Sequence, residues 1–254
     1  MKISEVTDYL DQCFPRENAM SYDNVGLLAG EPDRAVTACV LSLDLTGKAV
    51  ECAKKSGADL IITHHPVIFG GINSLSTANY KGKLLTDLIR NGIACYACHT
   101  NLDMTDEFGN LAIADAIGAE NAAHLDGTAC GVVFEQKEEP LKFFAEKAGK
   151  ALGASGMITI NDPSNKVSKV FVQGGAFDEE SLPAILMSGA DTVLSGEIKH
   201  HICVELEEYG INTLIAGHSA TEQIYLPKLK ELLSQQFKSL NFIVNYNNEK
   251  ASVN

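Results

Sequence analysis

Short, unbroken apolar runs separated by amphipathic segments set the pattern of this chain. Residues 35–44 (AVTACVLSLD), 60–63 (LIIT), 92–100 (GIACYACHT) and 213–217 (TLIAG) carry little polar alternation. Runs of this kind predict parallel strands covered on both faces. Between them, residues 46–56, 84–91, 203–210 and 226–237 show the spacing of amphipathic helices. Residues 127–136 (GTACGVVFEQ) read as an additional strand, 141–153 (LKFFAEKAGKALG) as a helix stopped by Gly153, and 161–166 (NDPSNK) as a turn. The tail from Asn247 is polar and is expected to fray.

The pattern occurs twice. Residues 56–65 read SGADLIITHH and residues 188–197 read SGADTVLSGE, a shift of 132 positions. Each is preceded by an apolar strand candidate (35–44 and 166–175) and followed by a helix, a Gly-Ile strand and a histidine (His99 and His218). Each half therefore reads β-α-β-α-β. The expected architecture is α/β, with two similar, closely packed lobes from an internal duplication, residues 1–125 and 126–254 with an approximate boundary, unless the two form one interlinked domain. The alternative is chance likeness between two β-α-β units, which share such patterning anyway. In sheets of this type, ligands bind beyond the carboxyl ends of the strands.

Composition narrows the function classes. Twenty lysines and arginines against 33 acids leave a net charge of −13, which argues against a general nucleic-acid binder. Bound divalent cations reverse that sign locally, so a phosphorylated small molecule stays open as a ligand. The amino terminus, broken by Asp8 and Asp11, does not read as a secretory signal, and no run reaches the length of a membrane span. Seven cysteines, several in core-like segments, imply free thiols and a cytoplasmic setting. Cys95–His99 matches the C-x-x-C-H haem pattern, but it lies in a strand-like run of a chain with no export signal. A buried strand is the better reading.

Potential metal ligands gather at strand ends: His64 and His65, then Asp103, then His218 and Glu222. Adjacent histidines point to opposite sides of an extended chain, so one ion cannot easily take both. At a strand end they can splay toward two ions, with Pro66 stiffening the exit. The competing reading of the pair, one surface and one buried histidine, is about as good. Asp103 alone suits a turn or cap. His99, Thr100 and Asn101 are candidates to orient ligands by hydrogen bonds. His218 and Glu222, at i and i+4, share a face at a helix start, although Ser219 and Glu222 also fit a capping box. Glu197, His200 and His201 are candidate substrate contacts or acid–base groups, with a solvated helix start as the alternative. If that segment is helical, Glu197 and His201 share a face. Asp23-Asn24 reads as a turn.

Taken together, DNVGLL (23–28), GADLIITHHPVIF (57–69), HTNLD (99–103), GEIKHH (196–201) and GHSATE (217–222) resemble the GTP cyclohydrolase 1 type 2 homologue family, the NIF-three-like dinuclear-metal proteins. The likeness runs along essentially the whole chain. It implies an α/β fold of two similar lobes in a toroidal homohexamer, in the short form without an inserted domain. It implies that His64, His65, Asp103, His218 and Glu222 hold two divalent ions, with Glu222 bridging. Tyr22 stands where the family often has tryptophan. The implied activity is a metal-dependent hydrolase of the GTP cyclohydrolase type, acting on a nucleotide or other phosphorylated small molecule. Zinc, iron, manganese, cobalt or nickel suits the mixed donor set. The alternative is a non-catalytic metal-binding regulatory or scaffold protein.

Overall fold

The computed structural model describes residues 1–246. In chain order the helices are α1 (Ile3–Cys13), α2 (Gly47–Ser56), α3 (Tyr80–Asn91), α4 (Thr100–Asp103), α5 (Gly109–Ala116), α6 (Leu141–Leu152), α7 (Leu182–Ser188), α8 (His200–Glu208), α9 (His218–Glu222) and α10 (Tyr225–Gln236). The strands are β1 (Gly26–Ala29), β2 (Ala38–Ser42), β3 (Leu60–Thr63), β4 (Ala94–Ala97), β5 (Ala123–His124), β6 (Val132–Pro140), β7 (Ile158–Ile160), β8 (Lys166–Ala176), β9 (Thr192–Glu197), β10 (Asn212–Ile215) and β11 (Asn241–Asn245). The fold is mixed α/β with two sheets.

The chain divides into two compact units. The first comprises Met1–Thr105 together with the segment from Leu226 through β11. Its sheet runs β1-β4-β3-β2-β11. Strands β2, β3 and β4 are parallel, with every residue buried, as their unbroken apolar runs require. Helix α2 starts where the Thr46 hydroxyl accepts from the Ala49 N–H, and it ends on Gly57 in the left-handed conformation. Its apolar face, Val50 and Ala53, joins Val40, Ile61, Leu84, Leu88 and Cys95 in one core. On β4, the fully buried Tyr96 donates its hydroxyl to Asp11 Oδ1 of α1 at 2.6 Å, which satisfies the one polar atom the ring carries inside.

The second unit is Asp106–Tyr225, with sheet order β5-β6-β8-β9-β10-β7. Strands β8, β9 and β10 are parallel. Helices α7 and α8 bury Leu182, Ile185, Ile202 and Leu206 against Phe171 and Val193. The β-α-β-α-β succession expected of each half is therefore present in each unit.

Three expectations are corrected. The boundary expected between residues 125 and 126 does not match the compact units. β11 pairs in parallel with β2, Asn241 beside Ala38 through Asn245 beside Ser42, which returns the C-terminal segment to the first unit. Residues 106–125 belong to the second unit, where Asn110 of α5 accepts from the Gly174 N–H and donates to Cys130 O. The strand read at 127–136 begins and ends later, at Val132–Pro140, because Gly127 (φ +84°) and Thr128 form the turn that leads back into it. Glu197 and His201 do not share a helix face, since Glu197 ends β9 and α8 begins only at His200. The polar tail from Asn247 lies outside the described residues. Among the described residues, no helix is long and apolar enough to cross a membrane.

Candidate metal centre

In the first unit, each parallel strand delivers a polar group just beyond its carboxyl end: Asp44 after β2, His64 and His65 after β3, and His99 after β4. The backbone holds them there. The His64 and His65 N–H groups donate to Ser42 O and Leu43 O, and the Cys98 N–H donates to Thr63 O.

The three imidazoles converge. Ring centroids are 5.1 Å apart for His64–His65, 5.0 Å for His64–His99 and 5.4 Å for His65–His99. One ligand atom from each lies within 4.8 Å of the others. Every Nδ1 has an acceptor: Cys98 O at 2.9 Å for His64, Asp44 Oδ1 at 2.7 Å for His65 and Asp23 Oδ2 at 3.0 Å for His99. A carbonyl or carboxylate can only accept, so Nδ1 carries a proton, and in the neutral ring Nε2 carries the lone pair. Imidazoles so fixed fit a divalent metal, because metal-binding histidines are oriented by such partners on the far nitrogen. Asp103, at the end of α4, puts Oδ2 3.8 Å from His64 Nε2.

Asp23 does more than form a turn. Its side chain is fully enclosed, and its Oδ2 accepts from His99 Nδ1, the Thr100 N–H and the Thr100 hydroxyl. Burial alone would raise its pKa. The hydrogen bonds from His99 and Thr100, the charge of His99 and the Asn24 N–H outweigh burial and hold the carboxyl well below the usual aspartate range. The Asn101 Oδ1 accepts from the His99 N–H and its amide donates to Phe14 O. Thr100 and Asn101 thus steady His99, whose ring stands with His64 and His65 among the candidate ligands.

In the second unit, the parallel strands deliver Gly175, Glu197 and His218 at the same carboxyl edge. Gly217 caps α9, so Ser219 is not the cap that a capping box would need. Glu222 instead brings Oε2 to 3.1 Å from His218 Nε2, while His218 Nδ1 lies 3.4 Å from Glu197 Oε1. Gly175, at φ +60°, makes room: a Cβ there would sit 2.3 Å from Glu222 Oε1. Thr221 ties the turn down, its hydroxyl donating to His218 O and accepting from the Gly175 N–H. His200 and His201 are exposed at the start of α8, with His201 Nε2 3.4 Å from Glu179 Oε2. The structure thus brings His64, His65, Asp103 and His99 together in one unit, and His218, Glu222 and Glu197 in the other. Asp44, Asp23 and Gly175 went unassigned from sequence. The signal available for Asp44 and Gly175 was their place at the carboxyl end of an apolar run.

Parallel strands that present imidazoles and carboxylates at their carboxyl ends form groups that could hold a metal ion. Residues 1–250 match the family model for DUF34/NIF3 (NGG1p interacting factor 3), and the chain belongs to that family. A Clostridium perfringens relative named "GTP cyclohydrolase 1 type 2 homolog" is 27% identical over 252 residues, covering 96% of each chain. A Staphylococcus aureus hypothetical protein of known structure is 26% identical, with a TM-score of 0.89 over 100% of this chain and 98% of that one. Reduced HcgD from Methanocaldococcus jannaschii is 29% identical, with a TM-score of 0.83 over 96% and 97%.

Proposed function

We propose that this protein is a divalent-metal-dependent hydrolase acting on a nucleotide or another phosphorylated small molecule, with opening of a guanine ring as the reaction suggested by the names of its relatives. The observation that carries the reading is the set of three imidazoles, each held through Nδ1, with one ligand atom from each within 4.8 Å of the others. In this reading His64, His65, Asp103, His218 and Glu222 hold two ions of zinc, iron, manganese, cobalt or nickel, and the imidazole of His99 adjoins them. Such ions supply an activated water near neutral pH and polarise the group under attack. The carboxylates of Asp44 and Asp23 fix the tautomers of His65 and His99 and raise their basicity. Glu197, beside His218, is placed to pass a proton to the leaving group, and His200 and His201 contact substrate. The same reading makes the protein a cytoplasmic homohexamer: its free cysteines are in keeping with the location, and the hexamer is what the resemblance implies.

Elemental analysis of protein purified without a metal-affinity tag, followed by assays on GTP, other nucleotides and phosphate esters, tests the proposal. About two divalent ions per chain and a turnover abolished by Asp103→Ala or Glu222→Ala, with the fold intact, are expected. Protein that holds no metal and does not respond to its addition overturns the reading. Bound metal with no turnover of any nucleotide identifies the non-catalytic alternative.

A further inference from the structure

Two large aromatic side chains beside the three-imidazole cluster stand open to solvent. Tyr22 is 64% exposed and Phe69 is 48% exposed. Their ring centroids are 6.1 Å apart at an interplanar angle of 63°, and the Phe69 ring is 6.3 Å from that of His99. Exposed rings of this size cost free energy in water, so a pair of them beside a chemically equipped site asks for an occupant.

The rings are not loose. Tyr22 immediately precedes Asp23, whose carboxylate is locked to His99 and Thr100. Two residues earlier in the chain, the Met20 N–H donates to the Thr100 hydroxyl oxygen. Asn24, on the other side of Asp23, donates its amide to Ile68 O at 2.7 Å, and Ile68 is the residue before Phe69. One short segment, residues 20–24, therefore ties both aromatic positions to the backbone and side chain that carry His99. The rings are positioned by the groups that hold the candidate ligand.

We infer that Tyr22 and Phe69 form a stacking corner that takes a planar nitrogen heterocycle, such as a purine base, and holds it against the imidazole cluster. This rests on the hydrolase reading above and assigns the part of the site that selects substrate. The angle between the rings excludes a parallel sandwich. The base lies on the face of one ring and meets the edge of the other, an arrangement favoured by the aromatic quadrupole. Stacking of this kind recognises the π face common to all bases, so it favours heterocycles as a class over phosphate esters that lack one.

Because the chain contains no tryptophan, Tyr22→Trp installs a single indole reporter at the corner and keeps its stacking surface. The metal-loaded variant is titrated with guanosine, with GTP and with ribose 5-phosphate while its emission is followed, and metal content is measured in parallel. Guanosine and GTP should quench the indole, and ribose 5-phosphate should not. Adding Phe69→Ala should weaken the guanosine response by about ten-fold or more, with metal content unchanged. Quenching by ribose 5-phosphate equal to that by guanosine, no response to guanosine, or an affinity indifferent to Phe69→Ala overturns the inference. Guanosine binding without turnover of GTP by the wild type would remove the hydrolase reading and leave the corner standing. Turnover with KM unchanged in Tyr22→Ala and Phe69→Ala would do the reverse.

Discussion

The Nδ1 of His65 lies 2.7 Å from Oδ1 of Asp44, two groups delivered by the ends of neighbouring parallel strands. The contact decides which nitrogen of His65 can coordinate, and the carboxylate makes that nitrogen a better donor. Asp44→Ala should therefore lower metal affinity about 10- to 100-fold. Its side chain is 40% exposed, so folding should survive. A competitive chelator titration of wild type and variant, with circular dichroism as the control, checks both parts.

Gly175 bears on the second unit in the same way. Its backbone is left-handed, and a Cβ would overlap Glu222 Oε1 at 2.3 Å. Gly57, also left-handed, has nothing within 4 Å of its would-be Cβ. Gly57→Ala should cost roughly 1–2 kcal/mol from backbone strain alone. Gly175→Ala should cost more than that and should also displace the Glu222 carboxylate. Urea denaturation of the two variants, combined with metal content, separates the shared strain from the steric term.

Most of the fold was legible because the parallel strands are buried on both faces, which forces the unbroken runs at 38–42, 60–63 and 94–97 that sequence reading detects. β7 and β11 escaped notice because edge strands of three and five residues lack that constraint. The return of β11 to β2 was not legible for another reason: pairing between segments some 200 residues apart depends on tertiary fit, not on local pattern. The candidate ligands could be found because His-His and His-x-x-x-Glu are rare spacings. Asp44 and Asp23 were obscure because a lone aspartate after a strand looks like any turn residue, and its role is set by an imidazole 21 or 76 positions away.

The buried strand that overrode the haem pattern makes its own chemical prediction. Cys95 is fully buried on β4, and burial pushes its thiol up to about 12, with a hydrogen bond involving Thr63 only partly offsetting the shift. Cys98 is raised in the same direction by burial and by the nearby charges of Asp103 and Asp11. Alkylation needs thiolate and access, and both are denied here. In native protein at pH 8, iodoacetamide should label the half-buried Cys13, Cys52 and Cys130 well before Cys95 or Cys98. In denaturant all should react alike, as read by peptide mass spectrometry.

Asp23 gives a pH prediction with a definite sign. Burial opposes its ionisation, but the bonds from His99 and Thr100 and the His99 charge win, so its folded pKa lies below its unfolded one. The folded state therefore binds fewer protons than the unfolded state in the interval between those values, and the stabilisation is present above about pH 4. It is lost as pH falls through the carboxylate range toward the folded value. Asp23→Asn should be less stable than wild type at pH 7, and the gap should close progressively below pH 4. Urea unfolding from pH 7 to pH 2.5 tests this; a gap that stayed constant to pH 2.5 would contradict it.

Three residues of one segment were candidates for acid–base work, and the geometry separates two of them, Glu197 and His201. Glu197 ends β9 with Oε1 3.4 Å from His218 Nδ1, so its carboxylate is coupled to a proposed ligand. His201 leaves that edge with the first turn of α8 and meets Glu179 instead, and Glu179 is also bridged by Lys199. A proton-transfer role of ordinary strength contributes about 10²- to 10⁴-fold to the chemical step. Glu197→Gln, which keeps size and removes the titrating group, should lower kcat by at least the smaller of these factors with metal content unchanged. His201→Ala should leave kcat within a few-fold of wild type, because its ring meets Glu179 and not His218, and on the proposed substrate-contact role it should act on KM. If His201→Ala proved the more damaging to kcat and Glu197→Gln were silent, the proton would have to travel by way of α8, and the assignment to the end of β9 would be withdrawn.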